Sequence, residues 1–164
     1  MPNANDNILT RWQTSLTSVA CSPLEFYERV ENYLAESEIP NLKFSQVTRN
    51  EGGWFSPRRI YLRVRYKKLY FDVSAFVAGN VLTVGWWFHE DLSGITDLFA
   101  EIPVLSFFMQ RTYRADTYFQ VDYIEYFQKT FHETILRLVD ELREDTGLPC
   151  LPPEARVPVQ EEIW

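Results

Sequence analysis

Histidine and cysteine are scarce here, two of each in 164 residues, and their scarcity narrows the chemistry at once. With His89 and His132 as the only histidines, a closed zinc site would also need Cys21 and Cys150, and no pair among these four has the close spacing of metal ligands. His132-Glu133 opens like a metalloprotease helix, but that motif needs a second histidine four residues after the first, and Leu136 stands there. The sequence therefore predicts neither a metal nor a cofactor. Nucleophilic catalysis needs a base beside a serine or cysteine, and no Gly-x-Ser-x-Gly elbow occurs. Cys21, just ahead of a helix, reads as a small buried thiol more readily than as a nucleophile.

Glycine is also sparse, with six residues. No Gly-x-Gly-x-x-Gly is present, and Gly52-Gly53 lacks the following Lys-Ser/Thr of a phosphate-binding loop, so nucleotide-dependent chemistry is not indicated. Adjacent acids such as Glu90-Asp91 and Asp140-Glu141 read as solvated surface rather than an acid–base pair. No apolar run approaches the roughly 18 to 20 residues of a membrane span, and Met1 to Asn7 lacks the basic flank and apolar stretch of a signal peptide. A cytoplasmic location is expected, and with it two reduced thiols in place of a Cys21–Cys150 bridge. Net positive charge is lacking too: the balance is −7 with a pI near 4.9. That sign repels polyanions and disfavours general binding to nucleic acid or anionic membrane.

What is present is material for one core. Apolar residues make up 46% and aromatics 16%, against 24% charged, which suits a folded chain rather than a disordered one. The expected organisation is a single α+β domain over 22–147, with an N-terminal extension, 1–21, and a proline-rich extended tail, 148–164, as a strap or a linear motif ending in Trp164. In the extension, Ile8, Trp12, Leu16 and Val19 are spaced by three and four, which predicts a short helix capped by Asp6. Ser22-Pro23-Leu24-Glu25 is a capping box with proline at the first helical position. Phe26, Val30, Tyr33 and Leu34 then mark one face of a helix running to about Ser37.

Leu42 to Arg49 reads as a strand entering a turn around Gly52-Gly53, whose tip carries Trp54 and Phe55. Residues 58–89 hold the clearest pattern. With two-residue turns at Lys67-Lys68 and Gly79-Asn80, one face of three antiparallel strands collects Ile60, Leu62, Val64, Tyr66, Leu69, Phe71, Val73, Ala75, Val77, Leu82, Val84, Trp86 and Phe88. That face is core. The other collects Arg59, Tyr61, Arg63, Arg65, Tyr70, Asp72, Ser74, Phe76, Thr83, Gly85, Trp87 and His89, with Arg63 directly across from Asp72. So much aromatic surface predicts that this second face is at least partly covered. Beyond it, Ile95 to Met109 reads as a short apolar helix broken at Pro103, and Thr112 to Val121 alternates as a last strand. A capped helix from Asp122 carries the stripe Ile124, Phe127, Phe131, Ile135, Leu138 and Leu142, ended by Gly147. The whole is an antiparallel sheet of four to five strands with two or more helices packed against it.

Tyr61-Leu-Arg-Val-Arg65, Phe71-Asp-Val73 and Trp86-Trp87, followed by the helix from Asp122, resemble the central region of a group of uncharacterised bacterial proteins. The resemblance spans the greater middle part of the chain and implies a bacterial origin. Its motifs are sheet-packing residues, so it carries over no catalytic or binding role.

Charge is unevenly placed: Arg58, Arg59, Arg63, Arg65, Lys67 and Lys68 lie within eleven positions, while the last helix carries Asp140, Glu141, Glu144 and Asp145. The candidate surface is therefore the second sheet face, with Tyr61, Arg63, Arg65, Tyr70, Asp72, Trp87 and His89. Guanidinium beside aromatic rings serves anion recognition and stacking, and equally serves to cover a sheet. The leading expectation is a non-catalytic interaction or accessory module that meets a protein partner, or a second copy of itself, through this face or through Ile95 to Met109. A second is an anionic-ligand binder or enzyme with Arg63 and Arg65 holding the anion and His89 or Asp72 moving protons. The third is single-stranded nucleic-acid binding on the same face.

Overall fold

The computed structural model describes residues 6–37, 39–50, 58–91 and 118–160. Its elements are β1 (Asp6–Thr17), α1 (Pro23–Ala35), β2 (Lys43–Asn50), β3 (Arg58–Tyr66), β4 (Leu69–Ala78), β5 (Val81–Asp91), α2 (Tyr118–Glu144), a 3-10 turn (Pro153–Arg156) and a two-residue β6 (Val159–Gln160). The strands form one antiparallel sheet in the order β2-β3-β4-β5-β1-β6. Both helices contribute buried apolar residues to the core on one face of it, so the α+β arrangement expected from the sequence is the one observed.

The β3–β4–β5 meander has the register that its turns dictate: Tyr66 faces Leu69 across Lys67-Lys68, and Ala78 faces Val81 across Gly79-Asn80. The first residue of each turn adopts positive φ, 63° at Gly79 and 53° at Lys67. That conformation carries no penalty for glycine and some for lysine. Leu62, Val64, Phe71, Val73, Leu82, Val84, Trp86 and Phe88 are fully buried on the helix side, whereas Ile60 and Val77, at the far end of the same rows, are exposed.

The core ends there because α1 supplies a polar closure. The β3–β4 ladder stops at the Tyr61–Ser74 pair. At the next position the hydroxyl of Tyr27 accepts from Ala75 N (2.8 Å) and donates to the carbonyl of Ile60 (2.7 Å), substituting for the missing ladder bond. Burial pushes the Tyr27 phenol up to about 12, so it stays a neutral donor. α1 begins as its capping box predicts, with Ser22 Oγ accepting from Glu25 N at 3.2 Å. The glutamate, however, pairs with Arg29 one turn on at 2.7 Å. On α2, Phe131 stacks on Phe71 with centroids 3.7 Å apart, and Phe127 meets the same ring at 5.3 Å.

Three expectations need correction. Residues 6–17 are a strand, not a helix. Trp12 and Leu16 face the core together with Thr10, and pairing with β5 along nearly its whole length outweighs weak helical spacing. The core cluster also takes in Trp12, Leu16 and Leu151, so the folded unit reaches beyond the expected limits of 22 and 147 at both ends. Finally, Tyr118 to Val121 belong to α2. Asp122 therefore lies inside the helix instead of capping it. The rest of that expected strand (112–117), the 51–57 turn with Trp54 and Phe55, the Ile95 to Met109 helix and Trp164 lie outside the described residues.

The tail behaves as a docked strap. Trp12 Nε1 donates to Ala155 O (2.8 Å), Leu151 N to Asp140 Oδ1 (2.8 Å) and Arg143 Nε to Pro149 O (2.6 Å), while Arg156 reaches Asp140 at 2.5 Å. β6 then pairs with Thr10 and Arg11 of β1.

Candidate functional site

Strand alternation delivers every predicted site residue to the second face, and the register sets them in rows. One row runs Ser45, Arg63, Asp72, Trp87, Arg11 and the next Lys43, Arg65, Tyr70, His89. The middle of this face is built inward. Arg63 grips Asp72 in a fork, Nε to Oδ1 at 2.7 Å and Nη2 to Oδ2 at 2.8 Å, the planar two-point geometry that only arginine offers a carboxylate. The same guanidinium lies 4.2 Å over the Tyr70 ring. Tyr70 in turn stacks on His89 with centroids 4.8 Å apart, and Tyr61 meets Trp87 edge-on at 6.1 Å. Asp72, His89, Tyr70 and Tyr61 retain 3%, 2%, 3% and 6% of their exposure. These four side chains are buried, and the predicted site residues divide. Arg63, Asp72, Tyr70 and His89 form one packed cluster, Tyr61 and Trp87 a second contact, and Arg65 is drawn away to Asp91 of β5.

At the β2 side the character changes. Arg65 is exposed, and Lys43, Ser45, Gln46 and Thr48 on β2 are exposed as well. The register places Lys43 opposite Arg65 and Arg49 opposite Arg59, so at two positions cationic residue types stand across from one another in the β2–β3 pair. Arg59 lies 4.4 Å over the ring of Phe76. Lys43 and Ser45 were missing from the sequence-based site because the length of the β2–β3 connection leaves the face of β2 undecided. The Lys/Arg content of both strands was the available signal.

His132 and the two cysteines sit elsewhere. His132 Nε2 bonds the carbonyl of Arg156 at 2.6 Å, packed edge-on between Trp12 and Trp86, and burial lowers its pKa. Both cysteines are free thiols. Burial raises the pKa of Cys21 and a hydrogen bond to Glu144 raises that of Cys150, the direction opposite to nucleophile activation. A shallow groove of about 360 Å³ runs between α2 and the strap past Arg137, Asp140, Glu144 and Cys150. It opens to solvent, and Arg156–Asp140 and Arg137–Glu141 contacts already pair its charges. Among the described residues no group of three or more His, Cys, Asp or Glu side chains is placed to hold a metal ion, and no helix is long and apolar enough to cross a membrane.

No family model, curated protein or solved structure matches this chain.

Proposed function

We propose that the protein is a non-catalytic interaction module of the cytoplasm that meets a protein partner, and that the contact surface is the cationic β2–β3 end of the sheet, not its middle. The carrying observation is the pairing of Lys43 with Arg65 and of Arg49 with Arg59 across the two strands. Like charges directly opposite one another weaken a sheet, and a cationic edge suits an external acidic surface. The enzyme and anion-binder reading is less well supported. Arg63 is already neutralised by Asp72, and the two groups meant to move protons, Asp72 and His89, are buried within that cluster. Base stacking would need open rings, whereas Tyr61 and Tyr70 are buried.

Site-specific photocrosslinking in the producing cells tests this reading. A photoreactive residue at Ser45 is expected to give one discrete protein adduct, identified by mass spectrometry. The same probe at Arg137, on the exposed side of α2, is expected to give none. An indistinguishable pattern from the two positions would overturn the proposal.

A further inference from the structure

We infer that β2 is an acceptor edge: the partner contributes an extended segment with acidic side chains at alternate positions, which adds to the sheet as one more strand alongside β2. This deepens the interaction reading and rests on it.

β2 is the last strand on its side of the sheet, and among the described residues it pairs with β3 alone. It is eight residues long, contains no proline, and keeps a continuous register with β3 from Lys43 to Asn50. Natural sheets blunt such an edge with proline, a bulge, cover or charged side chains, and of these β2 has the charge of Lys43 but neither proline nor bulge. Here Lys43, Ser45, Gln46 and Thr48 stand exposed along it. An open strand of this length offers a row of main-chain donors and acceptors, the basis of recognition by strand addition.

Charge selects the occupant. Successive residues on one sheet face are two apart, so Lys43, Ser45, Val47 and Arg49 share the face that carries Arg65, Arg63, Tyr61 and Arg59. An added strand would place every second side chain on that same face, beside Lys43 and within reach of the second row. Asp91 contacts Arg65 and Asp72 holds Arg63. Among the described residues Lys43 has no acidic partner, and its neighbour across the ladder is a further cation. Glutamate or aspartate at alternate positions would complete this row. A second copy of the chain fits poorly, because β2 carries no acid to answer Lys43. A nucleic acid would find phosphate contacts but no strand to pair with, on a molecule of net charge −7.

The test uses the full chain and three blocked peptides: alternating Glu and Val, the same with Lys for Glu, and the Glu peptide with a central proline. Fluorescence anisotropy measures binding, and amide hydrogen exchange locates it. The Glu peptide is expected to bind, to slow exchange of β2 amides, and to weaken as salt rises. The Lys and proline peptides should bind at least about tenfold more weakly, and Lys43→Glu should weaken the Glu peptide by about tenfold. Lys43→Gln, a milder change at this exposed position, should weaken it by about threefold, with thermal melts confirming that both variants fold. Equal binding of the Glu and Lys peptides, protection outside β2, tighter binding of a single-stranded oligonucleotide to the same residues, or dimerisation through β2 would each overturn the inference. A discrete Ser45 adduct that the Glu peptide does not compete away would overturn this inference while leaving the interaction reading intact. Absence of the adduct would remove both.

Discussion

Asp72 is a buried carboxylate at the centre of a sheet, and Arg63 answers its charge at two points. Removing one partner of such a pair leaves the other charge in a poorly solvated place, which costs more than the intact pair contributes. Arg63→Ala should therefore lower stability by about 2 to 3 kcal/mol, toward the low end of the range for buried pairs because Arg63 keeps some contact with water. Lysine should not rescue it, since an ammonium cannot reproduce the fork. Adding Asp72→Asn to Arg63→Ala should restore part of the loss, as expected of coupled neighbours, and urea denaturation of the four proteins reads all of these terms. Four independent, additive effects would mean that the fork is incidental. The fork itself was legible in the sequence, because two-residue turns fix which residue faces which. Its burial was legible only as an expectation of partial cover from the aromatic content of the face, because which side chains are shielded depends on what lies over the sheet and not on alternation along a strand.

The same distinction explains which elements could be read. β3, β4 and β5 alternate with period two and are joined by minimal turns, so pattern and register reinforce each other. β1 misleads because Trp12 and Leu16 are four apart: four is close to one helical turn and is also even, so such residues share a strand face just as well. The choice is made by β5, whose other side needs a partner from Val81 to Asp91. Its signature is Gly85, opposite Gln13, where a Cβ would lie 2.8 Å from the carbonyl oxygen of Trp12 and 3.2 Å from Gln13 Cβ. The obstacle is backbone and cannot swing aside. Gly85→Ala should consequently cost about 1 to 3 kcal/mol by forcing β1 away from β5. Hydrogen exchange should show faster β1 amides around Trp12 with β3 amides unchanged. Uniform acceleration along the whole sheet would mean instead that β1 is not a separable element.

At the scale of the molecule, the two ends of the chain meet on one side of the core. Trp12 Nε1 from β1 and His132 Nε2 from α2 reach the consecutive carbonyls of Ala155 and Arg156 in the strap. Sheet, long helix and tail are thus tied at one point. A carbonyl only accepts, so His132 carries its proton on Nε2, and Nδ1 is a buried acceptor with no protein partner among the described residues. The charged groups near the ring are Glu133 on its own helix, which favours protonation, and Arg156 on the strap, which opposes it. Burial is the largest effect and sets the net direction, a pKa below the ordinary 6.5. As pH falls below about 6.5 the unfolded chain takes up a proton at this histidine before the folded chain does, so stability is lost with falling pH and levels off below the folded value. His132→Gln can still donate to Arg156 O but does not titrate. Urea denaturation at pH 7.5 and pH 5.5 should therefore show wild type losing more stability than His132→Gln, by up to about 1.4 kcal/mol for each pH unit spent between the two pKa values. Carboxylates titrating in the same interval contribute equally to both proteins and cancel in the comparison. Parallel losses would show that His132 is protonated as easily in the folded chain as in the unfolded one, and that the tie between helix and strap does not depend on a neutral ring.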